Sequence, residues 1–316
     1  MTGSPLRVAF AGLAHSHPFT DAANVRALGA EVVGVHDADA GAAGAFAARF
    51  DAAAVDSVGA LAALRPDLVI ATPRPEETVP FLQALGDGGA PVFVNKVIAA
   101  TAAQLVEVDR ALAASSVPVG TSSVLRFAPA LGRLATELAD LGGAAEVLAI
   151  RVHAQHDNAA FQLPDRVWQD DPQRGGGTAV TVGVHAWEMV DVLLPGAVLV
   201  SGSGWTRTSG GSATASEDAA ALDGLLRVPG AEREVPVHVL VTGAPGPDAY
   251  AVDVVTATGI LSVSLETDDA NEELGFLDLI RALLDTAPQR AIAAPWREAR
   301  LVVGNTVRAG EIARAS

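Results

Sequence analysis

Cysteine is absent from the 316 residues, so disulfides, thiolate metal ligands and a thiol nucleophile are all excluded. That agrees with a cytoplasmic protein. No stretch offers about 18 consecutive apolar residues, and MTGSPLRVAF has no basic region followed by an unbroken apolar run, so neither membrane spanning nor secretion is indicated. Positive charge is also scarce: 37 acidic residues face 21 basic ones, for a net charge of -16 and a pI near 4.7. Nucleic acid and anionic membrane surfaces would repel such a chain, which leaves small molecules and other proteins as partners. Lysine is nearly missing. Of the 21 basic residues only Lys96 is lysine, the rest being arginine. Lysine can be pushed toward neutrality and exchange a proton near neutral pH, whereas arginine stays charged, which makes Lys96 a candidate site residue.

What is present is apolar: half of the residues are hydrophobic, enough for two domains with separate cores. Over the first 120 or so residues, short β-rich runs alternate with alanine-rich segments of helical spacing, the pattern of βαβ units in a parallel sheet. The expected strands are 6–11, 31–36, 67–71, 91–94 and 117–121. Expected helices run from Pro18 toward Leu28, over 40–50, after Pro75, and after a Thr101 cap. Continuously apolar strands fit a doubly wound sheet covered on both faces. Beyond about Ser123 the rhythm changes to an α+β pattern, with helices over 129–141 and 182–194, a strand over 147–153, a long loop or irregular strand pair over 201–220, and later hairpins including a turn at TATGI. The expected division is a dinucleotide-binding domain over 1–122 and a second domain over 123–294, with a helix over 295–315 returning to the first.

Between the first strand and the first helix lies Gly12-Leu13-Ala14-His15-Ser16-His17. A pyrophosphate is held by backbone N–H groups at a helix N-terminus, with glycines where a Cβ would collide. Only the first of three such glycines is present. Asp37 ends the second strand, where a carboxylate would accept hydrogen bonds from the adenosine ribose and repel a 2′-phosphate, favouring NAD over NADP; a turn residue in DADAG is the alternative. His17 puts a ring where the helix would otherwise approach the strand. His15 and His17 could donate to phosphate, His15 could turn toward the nicotinamide, or both could simply pack the loop.

Spread along nearly the whole chain, several segments resemble the Gfo/Idh/MocA family of sugar and polyol oxidoreductases. Ile70-Ala71-Thr72-Pro73 resembles the family's strand-end A-T-P, and Pro91 to Ala99 occupies the place of V-x-x-E-K-P, with Asn95 for the glutamate and Lys96 for the lysine. Arg126-Phe127 matches the crossover R-F. Gly175 to Leu194 resembles GGG-x-x-x-D-x-G-x-H-x-x-D, with Thr181 in the aspartate place, His185 in the histidine place and Glu188 in that of the second acid.

The resemblance implies a Rossmann domain followed by an α+β domain on a large, mainly antiparallel open sheet, which often mediates oligomerisation; a homo-oligomer, dimer or tetramer, is therefore expected. It also implies Lys96 and His185 as the catalytic pair, with Gly12–His17, Asp37, Ala71, Thr72, Pro73, Asn95 and Lys96 at the cofactor. Oxidising a carbinol moves a hydride to the nicotinamide while a proton leaves oxygen, so a polarising cation and a proton acceptor must reach one hydroxyl. Lys96 would polarise or protonate that oxygen and His185 would take or return the second proton. Arg126, His153, Trp168 and Thr181 are the further substrate-contact candidates.

The departures have consequences. Thr181 cannot serve as a carboxylate, and Asn95 carries no charge. Glu188 could share a helix face with His185, although a solvated surface acid is the expected reading. His153 and His156 have metal-ligand spacing, but strand positions three apart point to opposite faces, and no metal is expected. Trp168 could stack on a sugar or pack its loop. Arg126 could bind a carboxylate or make an ion pair. The leading expectation is NAD-dependent hydride transfer on a sugar or polyol. The alternatives are an epimerase or lyase holding NAD tightly, and a catalytically silent ligand-binding or partner subunit.

Overall fold

The computed structural model describes residues 4–86, 89–209, 212–265 and 269–315. The chain divides into two compact units. The first contains the residues up to Ile98, Ala103–Ser122 and Phe276–Ala299; the second contains Ala99–Ala102, Ser123–Gly275 and the residues from Arg300 onward. These units differ from the expected division in three places: Ala99–Ala102 belongs to the second unit, 276–299 to the first, and most of the last helix to the second.

In the first unit, β1 (Arg7–Ala11), β2 (Glu31–His36), β3 (Ala53–Ala54), β4 (Leu68–Ala71), β5 (Val92–Val94) and β6 (Val119–Gly120) form a parallel sheet in the order β3-β2-β1-β4-β5-β6. The order reverses beside β1, which creates a crevice at the carboxyl ends of β1 and β4 where doubly wound sheets bind ligands. Val8, Phe10, Leu68, Ile70, Val92 and Phe93 are buried because helices cover both faces. These helices are α1 (His17–Ala27), α2 (Ala40–Phe50), α3 (Val58–Ala63), α4 (Thr78–Leu85) and α5 (Ala102–Ala113). Asp39 caps α2 by accepting the Gly41 and Ala42 N–H groups, and Ser57 caps α3.

The return segment explains what closes the β6 edge. Thr121 N–H donates to Ala294 O at 3.0 Å, Gly120 bridges to Pro295, and Trp296 Nε1 donates to Asp109 at 3.1 Å.

The second unit is built on a six-stranded mixed sheet. Its strands are β7 (Val147–Gln155), β8 (Val198–Arg207), β9 (Ala219–Arg227), β10 (Val235–Thr242), β11 (Ala249–Thr256) and β12 (Ile260–Leu265), in the order β12-β11-β7-β10-β9-β8. Only β7 and β10 pair in parallel; the other neighbours are antiparallel. Ile150, Val152, Val237, Val239, Val252 and Val254 line its buried face. The associated helices are α6 (Pro129–Leu141), α7 (Gly177–Thr181), α8 (Gly183–Leu193), α9 (Ala270–Glu273) and α11 (Trp296–Arg314), the last from Arg300 onward; α10 (Phe276–Thr286) packs on α1 in the first unit. The opposite face carries the Arg151–Asp253 and His238–Asp223 pairs and leaves Trp205, Leu225 and Ile260 exposed. Among the described residues no helix is long and apolar enough to cross a membrane.

Over its described residues the segment 201–220, expected as a long loop or irregular strand pair, is the latter: it holds most of β8 and the start of β9, paired with a register shift between Leu199 and Ser201. Serine and glycine are poor strand formers locally, but pairing with β9 along Val198–Arg207 overrides that preference.

Candidate functional site

The glycine loop sits at the carboxyl end of β1, in the first unit. Gly12 adopts φ +77°, and a Cβ there would lie 2.6 Å from Thr72 O, so only glycine lets the loop pass the end of β4. Leu13 N–H donates to Asp37 Oδ2 at 2.6 Å and Asp39 N–H donates to Asp37 Oδ1 at 2.8 Å. Asp37 is thus fixed beside the loop, and each of its oxygens keeps a lone pair for a ribose hydroxyl. Ala14 and Ser16 lead directly into α1, whose N-terminal dipole favours an anion.

His15 and His17 meet edge to face, with ring centroids 4.2 Å apart, and His17 N–H donates to His15 Nδ1 at 3.3 Å. The His17 ring also packs edge-on against Phe276 of α10, at 5.0 Å. It therefore turns toward α10, not between helix and strand as its position in the motif suggested. A helix missing from the sequence expectation supplies the partner.

Ala71 ends β4, Thr72-Pro73 follows, and Asn95 N–H donates to Ala71 O at 2.8 Å, extending the parallel pairing past β5. The Asn95 Nδ2 group donates to Thr72 Oγ1 and to Asp21 Oδ2, both at 3.0 Å. Asp21, on α1, is wholly buried, and its other oxygen has no hydrogen-bond partner among the described residues. Burial pushes its carboxyl up to about 7, against the lowering effect of Asn95. Lys96 follows directly, 7% exposed, and the Lys96–Val97 peptide is cis.

In the second unit His185 lies on α8, 1% exposed. Its Nδ1 is 2.6 Å from Ser123 Oγ, and its ring stacks on His156 with centroids 5.0 Å apart and planes 14° apart. Tyr250, buried on β11, packs 5.2 Å from the His185 ring and places its hydroxyl 2.5 Å from His156 Nε2, with Asp248 at 3.5 Å from the same nitrogen. Burial, with a contribution from Asp248, raises the phenol well above its ordinary value, so it stays protonated beside His156.

Glu188 is not a solvated surface acid. At 0% exposure it accepts Ser123 N–H at 2.8 Å and Arg126 Nε at 2.5 Å, while the Arg126 guanidinium also donates to Asp191 at 2.6 Å. Burial raises the Glu188 carboxyl above its ordinary range, and Arg126 opposes that rise. The Arg126 guanidinium is therefore committed to an internal ion pair. Arg126→Met would leave Glu188 buried without its cation and is expected to cost about 3 kcal/mol, read from urea unfolding. Adding Glu188→Gln should recover part of that loss; equal stability of Arg126→Met and the parent would refute the pairing.

The other candidates make contacts within the second unit. Thr181 Oγ1 donates to Gly175 O at 2.8 Å, which ties the start of the glycine segment to α7. Trp168 is 4% exposed and lies where a Cβ on Gly175 would meet its ring, so no open ring face is offered for stacking. His153 is on the sheet face away from His185, where its Nε2 lies 3.4 Å from Thr242 Oγ1, while His156, just past the strand, reaches the site. Among the described residues no group of three or more His, Asp or Glu could hold a metal. Ser123, His156, Tyr250 and Asp21 were not among the expected site residues. Asp21 had a signal: it lies on the Pro18, Ala22, Val25 stripe of its helix.

No family model matches the chain, and no curated protein matches it in sequence. Solved structures do match over the whole chain. GenD2 from gentamicin A biosynthesis, in complex with NAD, aligns with a TM-score of 0.84 at 18% identity, over 99% of this chain and 95% of that one. Myo-inositol dehydrogenase from Lactobacillus casei, in complex with NAD(H) and myo-inositol, gives 0.77 at 16% identity over 98% and 94%. UDP-N-acetylglucosamine 3-dehydrogenase GnnA from Acidithiobacillus ferrooxidans gives 0.73 at 16% over 99% of both chains. At these identities the likeness establishes the fold, and the chain therefore has the Rossmann-plus-open-sheet fold that its resemblance to the Gfo/Idh/MocA oxidoreductases implied.

Proposed function

We propose that the protein is an NAD-dependent oxidoreductase of the Gfo/Idh/MocA type, which transfers a hydride between the nicotinamide and a carbinol or carbonyl carbon of a sugar or polyol. The observation that carries this reading is the loop at the end of β1. Gly12 is held where any Cβ would strike the Thr72 carbonyl, the loop opens α1, and Asp37 stands at its side. That is a cradle for a dinucleotide, and the reading is supported by the likeness in fold to neighbours crystallised with NAD. When bound, the nicotinamide accepts or supplies the hydride; the chain's own groups orient the substrate and handle the proton.

Asp37, whose carboxylate would accept a ribose hydroxyl and repel a 2′-phosphate, supports NAD over NADP. Lys96, at the carboxyl edge of the sheet, is assigned to the substrate oxygen together with His185. Asn95 holds the strand end and, with Ala71, Thr72 and Pro73, lines the cofactor side.

A thermal-shift titration tests this reading. NAD at about 100 times its Kd is expected to stabilise the native state by about 2.7 kcal/mol, with NADP giving a clearly smaller shift at equal concentration. No shift with either nucleotide would overturn the assignment.

A further inference from the structure

Ser123 is fully buried, and its hydroxyl has two neighbours with opposite demands. Leu125 N–H donates to Oγ at 3.1 Å and occupies one lone pair, while His185 Nδ1 lies 2.6 Å away. The hydroxyl hydrogen must also go somewhere, since a buried donor left unmade costs about 1–3 kcal/mol. Among the described residues His185 Nδ1 is the acceptor within its reach. A hydroxyl that donates to Nδ1 requires that nitrogen to be unprotonated, so the neutral ring carries its hydrogen on Nε2. A carboxylate in the same place would do the reverse, taking the Nδ1 hydrogen and leaving Nε2 as a base. Thr181 cannot supply that carboxylate, since it is not an acid and its hydroxyl donates to Gly175 O.

The surrounding charges keep this arrangement in place. Glu188 fixes the Ser123 backbone through the N–H at 2.8 Å and is itself held by Arg126, which also binds Asp191. His156 stacks on the His185 ring, and its Nε2 is hydrogen-bonded to the Tyr250 hydroxyl, with Asp248 3.5 Å from the same nitrogen.

We propose that Ser123 is a positioning residue that locks His185 as its Nε2–H tautomer, so that His185 serves the substrate oxygen as a neutral hydrogen-bond donor and not as its base. A neutral imidazole in this role stabilises negative charge as it develops on oxygen, which suits carbonyl reduction; the proton itself then comes from another group. This role rests on the oxidoreductase reading, but the tautomer does not.

The test is nitrogen-15 NMR of the histidine rings in the full-length protein at neutral pH, with the His185 signals assigned by their loss in His185→Gln. The expected result is a pyridine-like Nδ1 and a pyrrole-like Nε2, replaced in Ser123→Ala by an average of the two tautomers. A pyrrole-like Nδ1 in the parent protein overturns the proposal, whether or not the variant folds. A correct tautomer with no hydride transfer on any polyol or its ketone would leave the lock standing and sink the oxidoreductase reading instead.

Discussion

Asp21→Asn is expected to remove about 3 kcal/mol from the stability that the protein loses between pH 5 and pH 8. Asp21 is wholly buried on α1, one oxygen is held by Asn95 and the other has no partner among the described residues, so ionisation is opposed and its pKa rises from 3.8 to about 7. A folded-state pKa above the unfolded one means that the native state holds the proton more tightly. The associated stability is present in full below about pH 4 and is lost as pH climbs to about 7. Three units at about 1.4 kcal/mol each give about 4 kcal/mol over the whole range, of which about 3 falls between pH 5 and 8. Asparagine has the shape of the protonated acid, can still accept from Asn95 Nδ2, and does not titrate. Glu188 is shifted in the same direction, but it is present in both proteins and cancels in the comparison. Urea midpoints at the two pH values provide the measurement; parallel losses in variant and parent would show that Asp21 is already ionised at pH 5.

Asp21 also marks where local sequence stops being informative. The helices over 40–50 and 129–141 and the strand over 31–36 coincide with the expected spans, because unbroken apolar runs and caps are local signals. The fold class followed from the alternation of such runs. In contrast, β8 is rich in serine and glycine and becomes a strand through its pairing with β9, and α10 acquires its role only where it meets α1 and His17. The site divides in the same way. Lys96 is visible from composition, and Gly12 and Asp37 from their places at strand ends. Ser123 and His185 are 62 positions apart, and His156 and Tyr250 are 94 apart, so their meeting is a property of the second unit's tertiary fold. Alternation along β7 does imply that His153 and His156 part ways. It does not say which of them faces α8, and the chosen substrate candidate, His153, is the one that faces away.

Lys96→Met is expected to lower kcat by about 10²–10⁴, the range that a positioned proton donor contributes, while nucleotide binding is retained. Lys96 follows β5 at the edge where parallel sheets take ligands, and 93% of its surface is out of water, since it is 7% exposed. Methionine keeps most of the apolar stem and removes only the ammonium, so the packing around the strand end should survive; the thermal midpoint and the NAD shift check this directly. Lys96→Arg makes the same point from the other side. Its guanidinium preserves the charge but does not release a proton near neutral pH, and its planar fork is bulkier than an ammonium. If the residue acted only as a charge beside the cofactor, arginine would restore turnover and methionine would weaken NAD. If it supplies the proton, both variants bind NAD and both lose kcat, and that joint outcome is the expected one. Turnover undiminished in Lys96→Met would remove this residue from the chemistry and with it the main support for a proton donor on this edge of the sheet.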